Sequence, residues 1–492
     1  MRFCSLLIAL GLFWGCSETV LAPHKANPSD STESSDDDVD TQPDPDAQPE
    51  PDTDLDDTGQ IDTSIDHRSA KYCADCHPTQ YAEWQGSMHR YAAHSPVFDK
   101  MALKAFRDTA GATGTFCTGC HSPIGTLEGE PGTTTAEQRS DISLEGVTCV
   151  VCHQAVSHGQ PIGNKNLELD FMAPIQGPFS DAVMGGHSSV KGALIDKPEL
   201  CGSCHDVFNF PGLRIEEAYT EYQSSPAADA GIRCQDCHMG PNPGAVAERP
   251  IGKAAVMPGV ELPDRELSSH RFIGPDYSLI DRFPYDDLDA SAEAQADMLN
   301  RIDSLLKNAV EIDDVYTEEN AEETILNVVI ENLTSGHNVP TGFTSERQLW
   351  VEVVATQAGV TVFKSGDLDV FGDLRDHLSW TVIAGDDEMD EQLVNFQSLN
   401  LLRVGDIAIS TTDVYETIFP FDADYIVRRS LKPLEKRTLQ YTLPPLDDDA
   451  EVTVRLRYRN LPPYVLRALQ LDELVERLQI FDIDEVTLGV SD

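Results

Sequence analysis

Five times between residues 73 and 238 the chain writes Cys-x-x-Cys-His: Cys73/Cys76/His77, Cys117/Cys120/His121, Cys149/Cys152/His153, Cys201/Cys204/His205 and Cys234/Cys237/His238. Random placement of this composition would give about 0.01 such motifs, so the pattern constrains the fold. Its spacing has a chemical reason. Two thiols held by one turn add across the two vinyl groups of one haem, and the adjacent imidazole points at the iron as proximal ligand. A zinc reading needs Cys pairs to combine into four-ligand sites and gives no reason for a His after every pair. A thioredoxin-like reading explains one pair, not five, and lacks a βαβ context. Five covalently attached c-type haems are expected, with the ten cysteines as anchors and His77, His121, His153, His205 and His238 as proximal ligands.

The motifs span 166 residues. At about 33 residues per haem the segment is too small to wrap each ring in its own hydrophobic pocket. The rings must then pack on one another and replace a side-chain core, so the apoprotein is not expected to fold stably.

Only Cys4 and Cys16 of the 12 cysteines stand outside the motifs, which removes a disulfide framework as the main organising device. Lys and Arg total 35 against 84 Asp and Glu, a formal charge of −49. Nucleic acid is therefore excluded as a natural partner, because phosphate binding needs a basic surface. The first residues, Met1-Arg2, an apolar stretch from Leu6 to Trp14, then Gly15-Cys16, read as an export signal. The apolar run is far short of the roughly 20 residues a spanning helix needs. Cys16 resembles the lipid-modified cysteine of bacterial lipoproteins, although Phe13 stands where Leu is usual; cleavage after Ala22 by ordinary signal peptidase is the alternative. Either route places the mature chain in the periplasm or at the outer membrane or cell surface.

The fold class expected is α+β and multidomain. Residues 1–16 are the signal peptide and 17–66 an acidic, disordered linker holding 16 acidic residues and one Lys. Residues 67–288 form a haem-packed domain of short helices and loops. Residues 289–312 form a connector helix, with Asp289 as N-cap and an apolar stripe through Met298, Ile302, Leu305, Leu306 and Ala309. From about Glu323 the period becomes two: Leu326, Val328 and Ile330, then Leu349, Val351 and Val353, then Val452, Val454, Leu456 and Tyr458. That alternation predicts an antiparallel β-sandwich over 313–460. A stripe through Leu466, Leu469, Leu474 and Leu478 predicts a helical tail over 461–492.

Outside the motifs stand His24, in the linker, and eight candidates for the sixth coordination positions: His67, His89, His94, His158, His187, His270, His337 and His377. Trp84-Gln85-Gly86-Ser87-Met88-His89, Gly146-Val147-Thr148, Cys201-Gly-Ser-Cys204-His205-Asp206 and Cys237-His238-Met239 resemble the multihaem cytochromes related to the tetrahaem electron acceptor of hydroxylamine oxidation. The resemblance covers residues 70 to 345 well and the sandwich loosely. It implies a distal-ligand role for His89, and His187 and His270 look like two more. Gly336-His337-Asn338-Val339-Pro340-Thr341-Gly342 resembles a segment found where a β-domain follows the haem region, which would bring His337 to an iron. His158 is taken for the fifth place ahead of His94 and His67, with His377 structural and Met239 a packing residue.

If every iron has two His ligands, the haems are low-spin, closed to substrate and suited to electron relay between redox partner proteins. The alternative is a multihaem oxidoreductase in which one open-face haem acts on a small nitrogen or sulfur species. Against it stand the absence of a Lys in place of any proximal His and a surplus of candidate ligands. A third expectation makes the sandwich a docking module, with the linker and a possible lipid anchor holding the protein at a membrane surface.

Overall fold

A computed structural model describes residues 66–182, 186–319, 322–406 and 411–489. The export signal with Cys16, and the acidic linker apart from Asp66, lie outside the described residues. From Lys71 to His238 the chain forms short helices, interrupted by Pro and Gly, and one longer helix α1 (Pro96–Asp108). Helix α1 begins where Ser95 accepts from the Phe98 N–H, with Pro96 in the first turn, and buries Phe98, Ala102 and Ala105 at helical spacing. Two-stranded ribbons join the helices, among them Ala155–His158 with Leu167–Leu169 and Val207–Phe208 with Arg214–Glu216. These ribbons replace some of the expected loops.

Side-chain packing is thin in this half. Its own hydrophobic cluster holds only Ile124, Val150 and Val151 as buried members. The main cluster lies further along the chain; its buried members begin at Ile273, Tyr277 and Leu279, and the part-buried Val97 and Met101 of α1 pack against it.

The expected connector helix is α2 (Leu288–Ala309). Its N-cap is Asp287, whose carboxylate accepts from the Ala290 N–H at 2.8 Å, and not Asp289, which sits inside the first turn. The helix also ends earlier than 312. Val310 and Ile312 are buried alternately and open strand β1 (Val310–Glu319), so the strands begin three residues before the expected domain boundary at 313 and one whole strand before Glu323, the expected start of the alternation. Met298, Ile302, Leu305 and Leu306 form the predicted stripe and are buried.

Strand β1 pairs with β2 (Thr324–Asn332), which carries Leu326, Val328 and Ile330 inward at 0% exposure. A second sheet is built on β3 (Gln348–Gln357) and its neighbour β4 (Val360–Ser365), with the short β5 (Val394–Asn395) also pairing with β3. A ribbon of β6 (Leu399–Asp406), β7 (Thr411–Thr417) and β8 (Tyr425–Val427) follows. Strand β9 (Lys436–Leu443) returns to β2, giving the order β9-β2-β1, all antiparallel. Strand β10 (Ala450–Arg459) pairs with β3 from Ala450↔Gln357 to Arg459↔Gln348. Buried residues of both larger sheets and of α2 belong to one core.

The tail differs from expectation. Pro463–Ala468 is helical and Asp472–Arg477 forms a 3₁₀ turn, but Phe481–Gly489 is a strand, β11, antiparallel to β10. The second sheet thus runs β4-β3-β10-β11. The Ile312 N–H of the first sheet donates to Asp484 of β11 at 3.0 Å.

The described residues fall in one compact unit. Arg347 makes a two-pronged ion pair with Asp276 at 2.9 Å and also donates to the Tyr458 hydroxyl. Among the described residues no helix is long and apolar enough to cross a membrane. Because Ile302 is fully buried where α2 meets the sheets, I302A is expected to destabilise the protein by about 2–5 kcal/mol. Denaturant unfolding of the haem-loaded protein checks this, and a loss below about 1 kcal/mol would contradict the shared core.

Candidate haem-binding site

One helical turn places positions i, i+3 and i+4 on the same side, so Cys-x-x-Cys-His written as a turn presents two sulfurs and an imidazole together. Each motif adopts that geometry. Cys149–His153 and Cys234–His238 are helical throughout. In the other three the His N–H donates to the carbonyl of the first Cys: His77 to Cys73 at 2.9 Å, His121 to Cys117 at 3.3 Å and His205 to Cys201 at 2.9 Å.

None of the ten motif cysteines is in a disulfide, and all ten, with the five motif histidines, line a single cavity of about 1680 Å³. Thiols from different motifs adjoin. Cys73 interacts with Cys149, Cys120 with Cys204, and Cys201 with Cys234, while Cys152 is close enough to act electrostatically on Cys201 and Cys204. The first motif therefore neighbours the third and the second neighbours the fourth. The fourth also adjoins the fifth and the third, which makes it the junction of the set.

Five other histidines line the same cavity, and four of them each face a motif histidine. Ring centres are 6.3 Å apart for His77 and His187, 6.4 Å for His205 and His89, 6.4 Å for His153 and His270, and 6.1 Å for His238 and His337. With metal–imidazole bonds of about 2.0 Å and about 1.2 Å from nitrogen to ring centre, two imidazoles on opposite sides of one metal stand about 6.4 Å apart. The pairs fit a shared iron. They are too far apart for direct ring stacking, and a flat ligand suits the space between them.

Proton placement agrees. Nδ1 of His77, His121, His153 and His238 lies 2.9, 3.3, 2.8 and 2.9 Å from the carbonyls of Ala254, Ala92, Gln176 and Ile273. A carbonyl only accepts, so Nδ1 carries the proton and Nε2 keeps its lone pair for a metal. Nδ1 of His270 and of His337 donates in the same way to Ser268 and Asn338. Burial holds His121, His153, His270 and His337 down at about 4 and His89 at about 3, which keeps these rings neutral. His205 is different. Burial again disfavours its charged form, but its Nδ1 lies 3.3 Å from the Glu216 carboxylate, which outweighs burial and raises it to about 9.

The segments around the ligands brace one another. Trp84 Nε1–H donates to the Val147 carbonyl at 2.8 Å, and the Val147 N–H donates to the His89 carbonyl at 2.9 Å. Gly146, at φ +64°, passes so close that a Cβ there would meet the His89 carbonyl oxygen at 2.5 Å. His337 is delivered from beyond β2. Its neighbours Asn338 and Thr341 donate to the buried Glu221 carboxylate at 2.8 and 2.6 Å, which pins the loop to the motif-bearing half. Burial pushes Glu221 up to about 7.

The fifth expected pairing is not formed. His158 lies outside the cavity lining, on the ribbon that turns away after the third motif, with Nδ1 donating to the Gly159 carbonyl at 3.0 Å. His94 packs against Phe283 and His377 pairs with Glu416; neither lines the cavity. His67 lines it but is largely exposed beside Asp66. Among the described residues the ring found against His121 is Phe98, at 4.0 Å and 7°. A ring parallel to a coordinating imidazole lies beside it and not across the metal, so Phe98 flanks the proximal side. Lys104 of α1 and Phe419, Phe421 and Asp422 line the cavity near this end, with Phe421 against Phe116, next to Cys117. Sequence patterns single out neither Phe98 nor Glu216; Glu216 is found only once the ribbon pairing returns it to the motif.

Residues 72–154 match the family model described as cytochrome c554 and c-prime. No curated protein matches the chain. Among solved structures, the chain shares the fold of a penta-heme cytochrome c552 from Thermochromatium tepidum, at 18% identity and a TM-score of 0.54, over 86% of this chain and 99% of that one. The family match, joined to a cavity that gathers every Cys-x-x-Cys-His motif, supports a multihaem c-type cytochrome that transfers electrons.

Proposed function

We propose that this chain is an exported pentahaem cytochrome that carries electrons between redox partner proteins. In this reading four haems are clamped between histidine pairs, and among the described residues no histidine stands opposite His121 at the haem of the second motif. The single observation that carries it is the set of four ring separations between 6.1 and 6.4 Å. Haem iron, when bound, supplies reversible one-electron chemistry, and closely packed rings suit passage of electrons along an array.

The chain's own residues set the conditions. The thiols hold each ring covalently, Nδ1 hydrogen bonds orient the imidazoles, and paired ligands close four sites to substrate. The apolar lining excludes water, which lowers the reorganisation accompanying a change of charge. The two sheets, read as a sandwich through their common core, supply His337 as well as any docking face. Export is expected from the leader, with Cys16 as the candidate lipid anchor and a periplasmic or outer-membrane location.

A second reading has a specific observation in its favour. Among the described residues no imidazole stands opposite His121, which suits an oxidoreductase acting on a small nitrogen or sulfur species at that haem, with the other four as its wiring.

Electron paramagnetic resonance of the oxidised holoprotein is expected to show four low-spin components and one high-spin component, with one cyanide or nitric oxide bound per chain. Five low-spin haems and no ligand binding would leave the relay and remove the open site; two or more high-spin haems would break the paired-histidine assignment. H337A, H89A, H187A and H270A are each expected to raise the high-spin count from one to two. H158A should leave the spectrum unchanged, and a new high-spin signal in H158A would return that residue to the ligand set.

A further inference from the structure

We propose that Glu216 holds the haem of the fourth motif at the lowest potential of the five, so that the junction of the array is the last site to be reduced. This rests on the haem-binding reading above. The motif histidines divide into two classes by what receives their Nδ1 proton. His77, His121, His153 and His238 donate to backbone carbonyls, whereas His205 faces a carboxylate oxygen 3.3 Å away.

Local structure places that carboxylate. The strand Val207–Phe208 leaves the fourth motif, turns, and pairs antiparallel with Arg214–Glu216, with Val207 opposite Glu216. Gly212, at φ +88°, permits the turn. The last residue of the ribbon thus returns beside His205. Glu216 is 6% exposed. The nearby cation does not neutralise it: Arg214 is engaged by Asp206 at 3.2 Å, which also accepts from Thr220. Among the described residues, the ion pair of Glu216 is with His205.

A carboxylate on Nδ1–H draws the proton toward itself and gives the imidazole part of the character of an imidazolate, a stronger donor to iron. Stronger donation, and a buried negative charge close by, both favour the ferric over the ferrous state. A backbone carbonyl offers only a dipole. Four haems therefore share one kind of second partner and the fourth motif's haem stands apart from them. Its position amplifies the effect, because thiols of the second, third and fifth motifs all adjoin those of the fourth. Electrons passing between those branches cross the least reducible site.

The test is a redox titration of the holoprotein, followed by optical and electron paramagnetic resonance spectra, on the wild type and on E216Q. Gln offers a neutral oxygen like the carbonyls at the other four sites. The expected result is one low-lying bis-histidine midpoint in the wild type that moves upward in E216Q into the range of the other bis-histidine haems, with the remaining midpoints and spin states unmoved. A lowest midpoint that stays in place, or all midpoints moving together, would overturn the proposal. Near-infrared magnetic circular dichroism of the wild type needs no variant. One bis-histidine haem with its charge-transfer band displaced toward that of an imidazolate ligand is expected, and one common band position would overturn it. A count below five titrating haems would instead overturn the pentahaem reading beneath it.

Discussion

The attachment of two sulfurs and one imidazole to a single helical turn is the constraint on which the first half of this protein depends. Each turn is short, and its residues have little else to bury. The motif-bearing half has a hydrophobic cluster with three buried members, while the main core sits among the sheets and the long helix. A chain segment of this length cannot offset its conformational entropy with so little apolar contact. In the pentahaem reading proposed above, covalently held rings would fill the common cavity in place of the missing core, and cofactor attachment and folding would be one event in that half.

The sheet-bearing half does not stand apart. It contributes His337 to the cavity, fixes that ligand's loop through Glu221, and meets the motif-bearing half again through the Arg347–Asp276 pair. Helix α2 serves both sides, since Leu305 and Leu306 line the cavity and also join the main core. In the reading proposed above, a shift of the sheets would therefore be felt at His337, opposite His238 of the fifth motif.

Much of this was legible in the residues. The motifs announce the chemistry because their spacing is imposed by the vinyl groups, and the strands carrying Leu326, Leu349 and Val452 announce themselves through alternation, strict only around Val452. His89, His187, His270 and His337 could be picked out by resemblance to known sequences, not by physics, because nothing local marks a distant imidazole that crosses a cavity. His158 shows the limit: a His five residues beyond a motif histidine looks close, but strand pairing with Leu167 carries it outward. The last strand was hidden for a different reason. Phe481 and Ile483 face inward, but the register shifts opposite Leu456 and Arg457, and Val486 and Leu488 continue in the other phase. A bulge of this kind breaks the alternation that identifies a strand. The order of the motifs in space, and Glu216 beside His205, depend on contacts between segments far apart in sequence or on a turn whose pairing must first be known.

Intact-mass measurement of the exported protein after denaturing extraction tests most directly whether five haems are covalently held. The mass of the mature polypeptide raised by five haem increments, with five irons per chain and a Soret band that stays with the protein, is the predicted result. Four or fewer increments, or haem that extraction removes, would contradict it.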